Sequence, residues 1–203
     1  MFVSCLQQGT EANIDQSTLL KFVCVAPNYR KFGYKTKFIA ADISHRTLSN
    51  KMTKHQHLDE LAKELFQVFS RTEYALKATG FNNGDGPAEA NWRNFALTVE
   101  DLIANPTELE LKDAIAFLFN APPKKQMIKG GLIKWEKSKP HTDSRADELL
   151  IYVRRVRNNL FHGGKFNGHW FSPGRSEPLL RYSIVILNAC VNRTPLVYEA
   201  YHG

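Results

Sequence analysis

Cysteine is scarce: Cys5, Cys24 and Cys190 are the only three in 203 residues. An odd number at such wide spacings suits neither a disulfide framework nor a cysteine-based metal site, and favours a reducing compartment. Long apolar runs are missing, and none approaches the roughly 20 residues that a membrane-spanning helix requires. The first residues, Met1-Phe2-Val3-Ser4-Cys5-Leu6-Gln7-Gln8, lack the charged segment and long apolar stretch of a secretory signal. A cytoplasmic protein with no membrane partner is the expectation. Also missing are the Walker phosphate loop, Gly-x-Gly-x-x-Gly, Gly-x-Ser-x-Gly and His-Glu-x-x-His. Nucleotide-driven, dinucleotide and hydrolase-triad chemistry are therefore left without a motif. His55 and His57 flank Gln56, but no cysteine or third ligand lies near them in sequence, so no metal and no cofactor is expected. There is no internal repeat and no low-complexity tract.

What the chain does have is bulk and basic charge. Hydrophobic residues make up 43%, with 13 Phe and 7 Tyr, enough to fill a packed core. The net charge is +7, which suits a polyanionic partner. Eight Lys/Arg against three Asp/Glu give residues 1–55 a net +5, leaving +2 for residues 56–203. The N-terminal segment shows no sustained helical period, and reads as a basic arm, disordered or partly β. Within it, Leu19–Ala26 and Phe38–Ala41 are candidate short strands.

A helical period begins after residue 55. Leu58, Leu61, Leu65, Val68, Phe69, Thr72 and Leu76 recur at three- and four-residue steps, predicting a helix over about 57–79 that Gly80 ends. Trp92, Phe95, Ala96, Val99, Leu102 and Ile103 mark a second helix, stopped at Asn105-Pro106. A third is predicted from Thr107, where Glu110 has the spacing of a capping box, and it carries Leu111, Ala114, Ile115, Leu118 and Phe119. Residues 121–142 are basic and read as a long connection with a short turn near Trp135. Ser144 can cap a fourth helix, with Asp147 and Glu148 in its first turn and Ala146, Leu149, Leu150, Val153, Val156 and Leu160 on its apolar face. Gly163-Gly164 closes it. A last helix runs from near Glu177-Pro178 to Pro195. The expected fold is all-α: residues 56–203 as an up-and-down bundle of four or five helices, with 1–55 as an irregular arm.

The fourth helix ends Arg154-Arg155-Val156-Arg157-Asn158-Asn159-Leu160-Phe161-His162-Gly163-Gly164-Lys165. Unpaired carbonyls at a helix C-terminus favour a protonated imidazole, so His162 is expected to titrate somewhat above the ordinary value of about 6.5. Such a group can give and take protons, while an arginine stays charged and grips phosphate through two parallel bonds. RNA cleavage by its own 2′-hydroxyl needs both services. Residues five apart on an ideal helix point about 140° away from each other. For Arg157 and His162 to share a site, the last turn must unwind at Gly163, the long arginine must reach round, or two copies of the helix must meet. Asn158 and His162, four apart, already share a face.

Arg157-Asn158-Asn159-Leu160-Phe161-His162 resembles the Arg-x4–6-His motif of the HEPN superfamily, including the polar residue after the arginine, and Gly163-Gly164-Lys165 is also similar. The resemblance spans about residues 56–195. It implies a helical bundle that homodimerises along the motif-bearing helices and cleaves RNA without a metal, as a toxin or phage-defence effector. It implies that Arg157 and His162 are catalytic, that Asn158 supports them, and that a polar residue of an earlier helix joins the site, for which Glu73 is the candidate. Arg154, Arg155 and Lys165 are the expected RNA contacts, and a protein antitoxin or regulator is a further partner. One departure is Gly164, where some HEPN toxins carry a tyrosine that a partner enzyme modifies; that form of neutralisation is in doubt here. The plainer readings are that His162 only caps its helix, that the arginines form a solvated basic face, and that the chain is a non-catalytic module binding RNA or protein.

Overall fold

The computed structural model describes residues 53–162 and 172–203. The N-terminal arm to residue 52, with its two candidate strands, and Gly163, Gly164 and Lys165 lie outside the described residues. The rest is mostly helical with one small two-stranded sheet, in the order α1 (Lys54–Ala78), α2 (Trp92–Thr98), α3 (Glu100–Ala104), α4 (Leu109–Asn120), β1 (Lys125–Lys129), β2 (Leu132–Glu136), α5 (Arg145–His162), α6 (Pro173–Arg193) and α7 (Pro195–His202).

The apolar stripe read from α1 is its buried face: Leu58, Leu61, Leu65, Val68, Phe69, Thr72 and Leu76 are all buried. Thr72 is tolerated there because its hydroxyl donates to the Val68 carbonyl at 2.8 Å. The helix starts a few residues before the period does. Thr53 and Gln56 cap it reciprocally: the Gln56 N–H donates to Thr53 Oγ1 at 3.3 Å, and the Thr53 N–H to Gln56 Oε1 at 2.8 Å. At its other end Gly80 takes φ +89°, a left-handed geometry that lets the Phe81 N–H return to the Leu76 carbonyl at 2.9 Å.

Three stretches differ from expectation. The single helix predicted from Trp92 to Ile103 is two, α2 and α3, separated at Val99. The break sets the Glu100 side chain at the start of α5, where it accepts from Ser144 Oγ, from the Arg145 N–H at 3.1 Å and from the Ala146 N–H at 3.2 Å. The capping box expected at Thr107 is not formed; α4 starts after Glu108, and the Glu110 carboxylate pairs instead with Arg181 of α6 at 3.5 Å. The basic connection contains an antiparallel hairpin, β1–β2, turned by Gly130 (φ +59°) and Gly131 (φ +74°). A two-residue turn with both φ positive matches the twist of the strands it joins, and glycine adopts it without strain. The expectation of helices alone had no place for this ribbon.

At the C-terminal end, α6 begins at Pro173, four residues before the expected start, and carries Pro178 inside it. Pro195 does end α6, and it also opens α7, since proline suits the first position of a helix. α7 lays Val197, fully buried, against α1 and α6. The helix with the most partners is α5, which touches α1, α2, α3, α4, α6 and β1. Its Ala146, Leu149, Leu150, Val153 and Val156 are buried and Leu160 is partly buried, the face the period predicted.

Candidate functional site

Both ends of α5 are tied down, by different chemistry. At its start Ser144 caps it as expected, its Oγ accepting from the Asp147 N–H at 3.0 Å while donating to Glu100. The Glu100 carboxylate, unread in the sequence, adds a negative charge where the helix dipole is positive. One turn on, the Tyr152 hydroxyl donates to Glu148 Oε1 at 2.7 Å. Burial and then this carboxylate push the phenol up to about 12.

Towards its C-terminus α5 remains regular through His162, so no unwinding before that residue brings Arg157 and His162 together. Arg157 itself bends round. Its Nη1 donates to Asn158 Oδ1 at 3.0 Å, and Asn158 stands on the same stripe of the helix as His162. The Arg157 guanidinium also lies 5.1 Å from the Phe69 ring centroid and 5.5 Å from that of Phe161. Such cation–π contacts contribute about 0.5–1 kcal/mol at accessible sites and fix the plane of the group without consuming its donors. Among the described residues no carboxylate pairs with Arg157.

The aromatic floor comes from α1, which runs antiparallel to α5. Phe66 packs on Phe161 at 5.3 Å, Phe69 lies beneath Arg157, and Trp92 of α2 stacks on Phe69 at 5.1 Å and lies 5.9 Å from the Arg154 guanidinium. Phe66 and Phe161 remain about half exposed, at 49% and 46%.

The sequence-derived residues are thus sorted. Arg157 and Asn158 are in contact, with Arg154 on the exposed side one turn earlier. Arg155 turns the other way: it donates to the Ser138 carbonyl just after β2 and lies 5.5 Å from the Tyr152 ring, and burial lowers its pKa. Glu73 is half-buried on α1, one turn beyond Phe69 and away from the C-terminus of α5, with no hydrogen bond or ion pair to a described residue. The structure does not bring it to Arg157. His162 is the last residue of α5; its side chain, like Lys165 and the His169-Trp170 pair, lies outside the described residues. Among the described residues no three His, Cys, Asp or Glu side chains are grouped to hold a metal ion.

Two features of this region were missed. One is the Phe66–Phe161 pair, whose members come from helices almost a hundred residues apart. The other is the hairpin, anchored at both ends to one stripe of α5: Asn159 Nδ2 donates to the Lys124 carbonyl at 2.8 Å before β1, and Arg155 holds Ser138 after β2. Its signal was present in the sequence, as two β-prone runs, Gln126-Met127-Ile128 and Leu132-Ile133-Lys134-Trp135, parted by Lys129-Gly130-Gly131.

Compared with known proteins, this chain matches no protein-family model, no curated protein and no solved structure.

Proposed function

We propose that this chain is a HEPN-type endoribonuclease, a homodimer of up-and-down helical bundles that cleaves RNA without a metal ion. The observation that carries the reading is the Arg157–Asn158 bond: it draws a guanidinium with no described carboxylate partner toward the stripe on which His162 stands. In this mechanism the RNA 2′-hydroxyl attacks the adjacent phosphorus and the 5′-oxygen departs. His162 takes the hydroxyl proton or returns one to the leaving oxygen, work worth about 10²–10⁴ in rate. Arg157 holds the phosphate oxygens as negative charge builds on them, and Asn158 orients the guanidinium. The products are a 2′,3′-cyclic phosphate and a 5′-hydroxyl. The half-exposed Phe66 and Phe161 beside Arg157 provide apolar area for a second copy of α5, so that two sites share one cleft. A cell would keep such an activity in check with a protein antitoxin or a trigger, as in toxin or phage-defence systems.

The test is incubation of the purified full chain with total RNA in the presence of chelator, beside His162→Ala and Arg157→Ala. Cleavage by the wild type alone, with all three proteins folded and equally associated, is the expected result. An intact wild-type substrate would favour a non-catalytic module that binds RNA or protein through the same basic face. Activity abolished by chelator would mean a metal enzyme.

A further inference from the structure

The β1–β2 hairpin stands out from the rest of the chain in charge and in exposure. Residues 121–142 hold six lysines against Glu136, so the +2 of residues 56–203 is +5 on this segment and −3 on all the rest. Lys129 is paired with Glu136 at 2.5 Å and Lys139 with Glu148 at 3.7 Å. Lys124, Lys125, Lys134 and Lys137 are exposed and have no carboxylate partner among the described residues. The pairing register, Lys125 with Glu136, Gln126 with Trp135, Met127 with Lys134 and Ile128 with Ile133, sets Lys125 and Lys134 on one face and Ile128, Ile133 and Trp135 on the other. Both faces are exposed: Leu132 is 65% exposed on the lysine face, and Ile128 65%, Ile133 61% and Trp135 37% on the other. A two-stranded ribbon is marginal alone in water, and this one is held by Asn159 and Arg155. Those residues lie about 160° round α5 from Arg157 and within about 60° of the backbone position of His162, so the ribbon rises on the His162 side of the helix and not over Arg157.

We infer that the hairpin is a binding arm for single-stranded RNA, feeding the strand to the C-terminal end of α5. Unpaired lysines spread over a ribbon fit a phosphate backbone, whose neutralisation dominates affinity and does not depend on sequence. The Trp135 indole on the opposite face, 37% exposed, offers a stacking platform to a strand that crosses the ribbon, and bases are free to stack on side chains only where the strand is unpaired. The unpaired lysines favour a polyanion over the hairpin of a second copy, because two such ribbons would set lysine against lysine. The inference names the substrate class of the proposed nuclease and rests on that reading.

The test is fluorescence anisotropy of the full-length His162→Ala protein with a labelled single-stranded RNA at several salt concentrations, with and without further changes in the hairpin. Exchanging Lys124, Lys125, Lys134 and Lys137 together for Gln is expected to weaken binding at least tenfold and to reduce the slope of log affinity against log salt by about 2–3. Trp135→Ala is expected to weaken binding roughly tenfold and leave that slope unchanged. All five substituted positions are exposed, and circular dichroism checks that each variant keeps its helices. If the parent binds and the lysine variant binds equally with the same slope, the hairpin assignment is overturned while the nuclease reading stands. The same binding result together with a changed sedimentation coefficient for Trp135→Ala would make the ribbon a contact between copies instead. A parent protein that binds no RNA would overturn both.

Discussion

The two ends of α5 solve opposite problems. At the first, the orphan backbone donors are answered: the Glu100 carboxylate accepts three donors and Ser144 caps, while one turn on Tyr152 is bonded to Glu148. At the last, Arg157 and Arg154 lie over aromatic rings with no described carboxylate against them, and Phe161 stays half exposed. Satisfied groups stabilise a fold, and unanswered ones are available to a ligand. One helix therefore carries its anchor at Arg145 and its working surface around Arg157 about 18 Å apart, at roughly 1.5 Å per residue.

That contrast can be broken from either end. The largest effect belongs to His162→Ala, which should lower RNA cleavage by about 10²–10⁴. Its melting temperature should stay that of the wild type, as read by circular dichroism. Glu100→Ala should do the reverse. Losing a carboxylate that serves two backbone N–H groups and the capping serine costs about 2 kcal/mol, or roughly 4–8 °C in melting temperature. Cleavage per folded molecule should be unchanged. Asn158→Ala, which frees the Arg157 side chain without removing its charge, should slow cleavage about tenfold, with Asn158→Asp worse because it would neutralise the guanidinium.

The smallest effect concerns pH. The Tyr152 phenol ionises near 10 in an unfolded chain and at about 12 in the fold. Between those values the unfolded state binds fewer protons, so stability falls as pH rises through 10 towards 12. Tyr152→Phe should flatten that fall, at a cost of about 1 kcal/mol near neutral pH from the lost bond to Glu148. Denaturant melts of both proteins at pH 7 to 11 would check it. Cys190, fully buried with its thiol pushed up to about 12, adds to the same alkaline loss and should resist thiol reagents in the native protein.

The helical faces were legible because burial repeats along the chain. The stripe of α1 and the Ala146–Leu160 stripe of α5 follow from periodicity alone, as does the Ser144 cap, whose partner is three residues away. Interactions between distant segments were not legible. Glu100 reads as an ordinary surface carboxylate until the break at Val99 sets it beneath Ser144, 44 residues on. Arg155 reads as one more basic residue beside Arg154 and Arg157, yet its partner is the Ser138 carbonyl on the hairpin's exit. The hairpin was hidden by its composition, since lysines between β-prone residues look like a solvated connection. Of the site, adjacency in sequence made the Arg157–Asn158 contact readable, whereas the Phe66–Phe161 floor required knowing which helices pack.

The proposed activity depends on an imidazole and a guanidinium from the end of α5 acting on one phosphodiester through the substrate's own 2′-hydroxyl. The most direct measurement uses a short RNA bearing the mapped cleavage site and its twin with one 2′-deoxynucleotide immediately 5′ of the cut. The first should be cleaved to a 2′,3′-cyclic phosphate and the second left whole. Cutting of the deoxy twin, or a 3′-hydroxyl on the product, would contradict that mechanism.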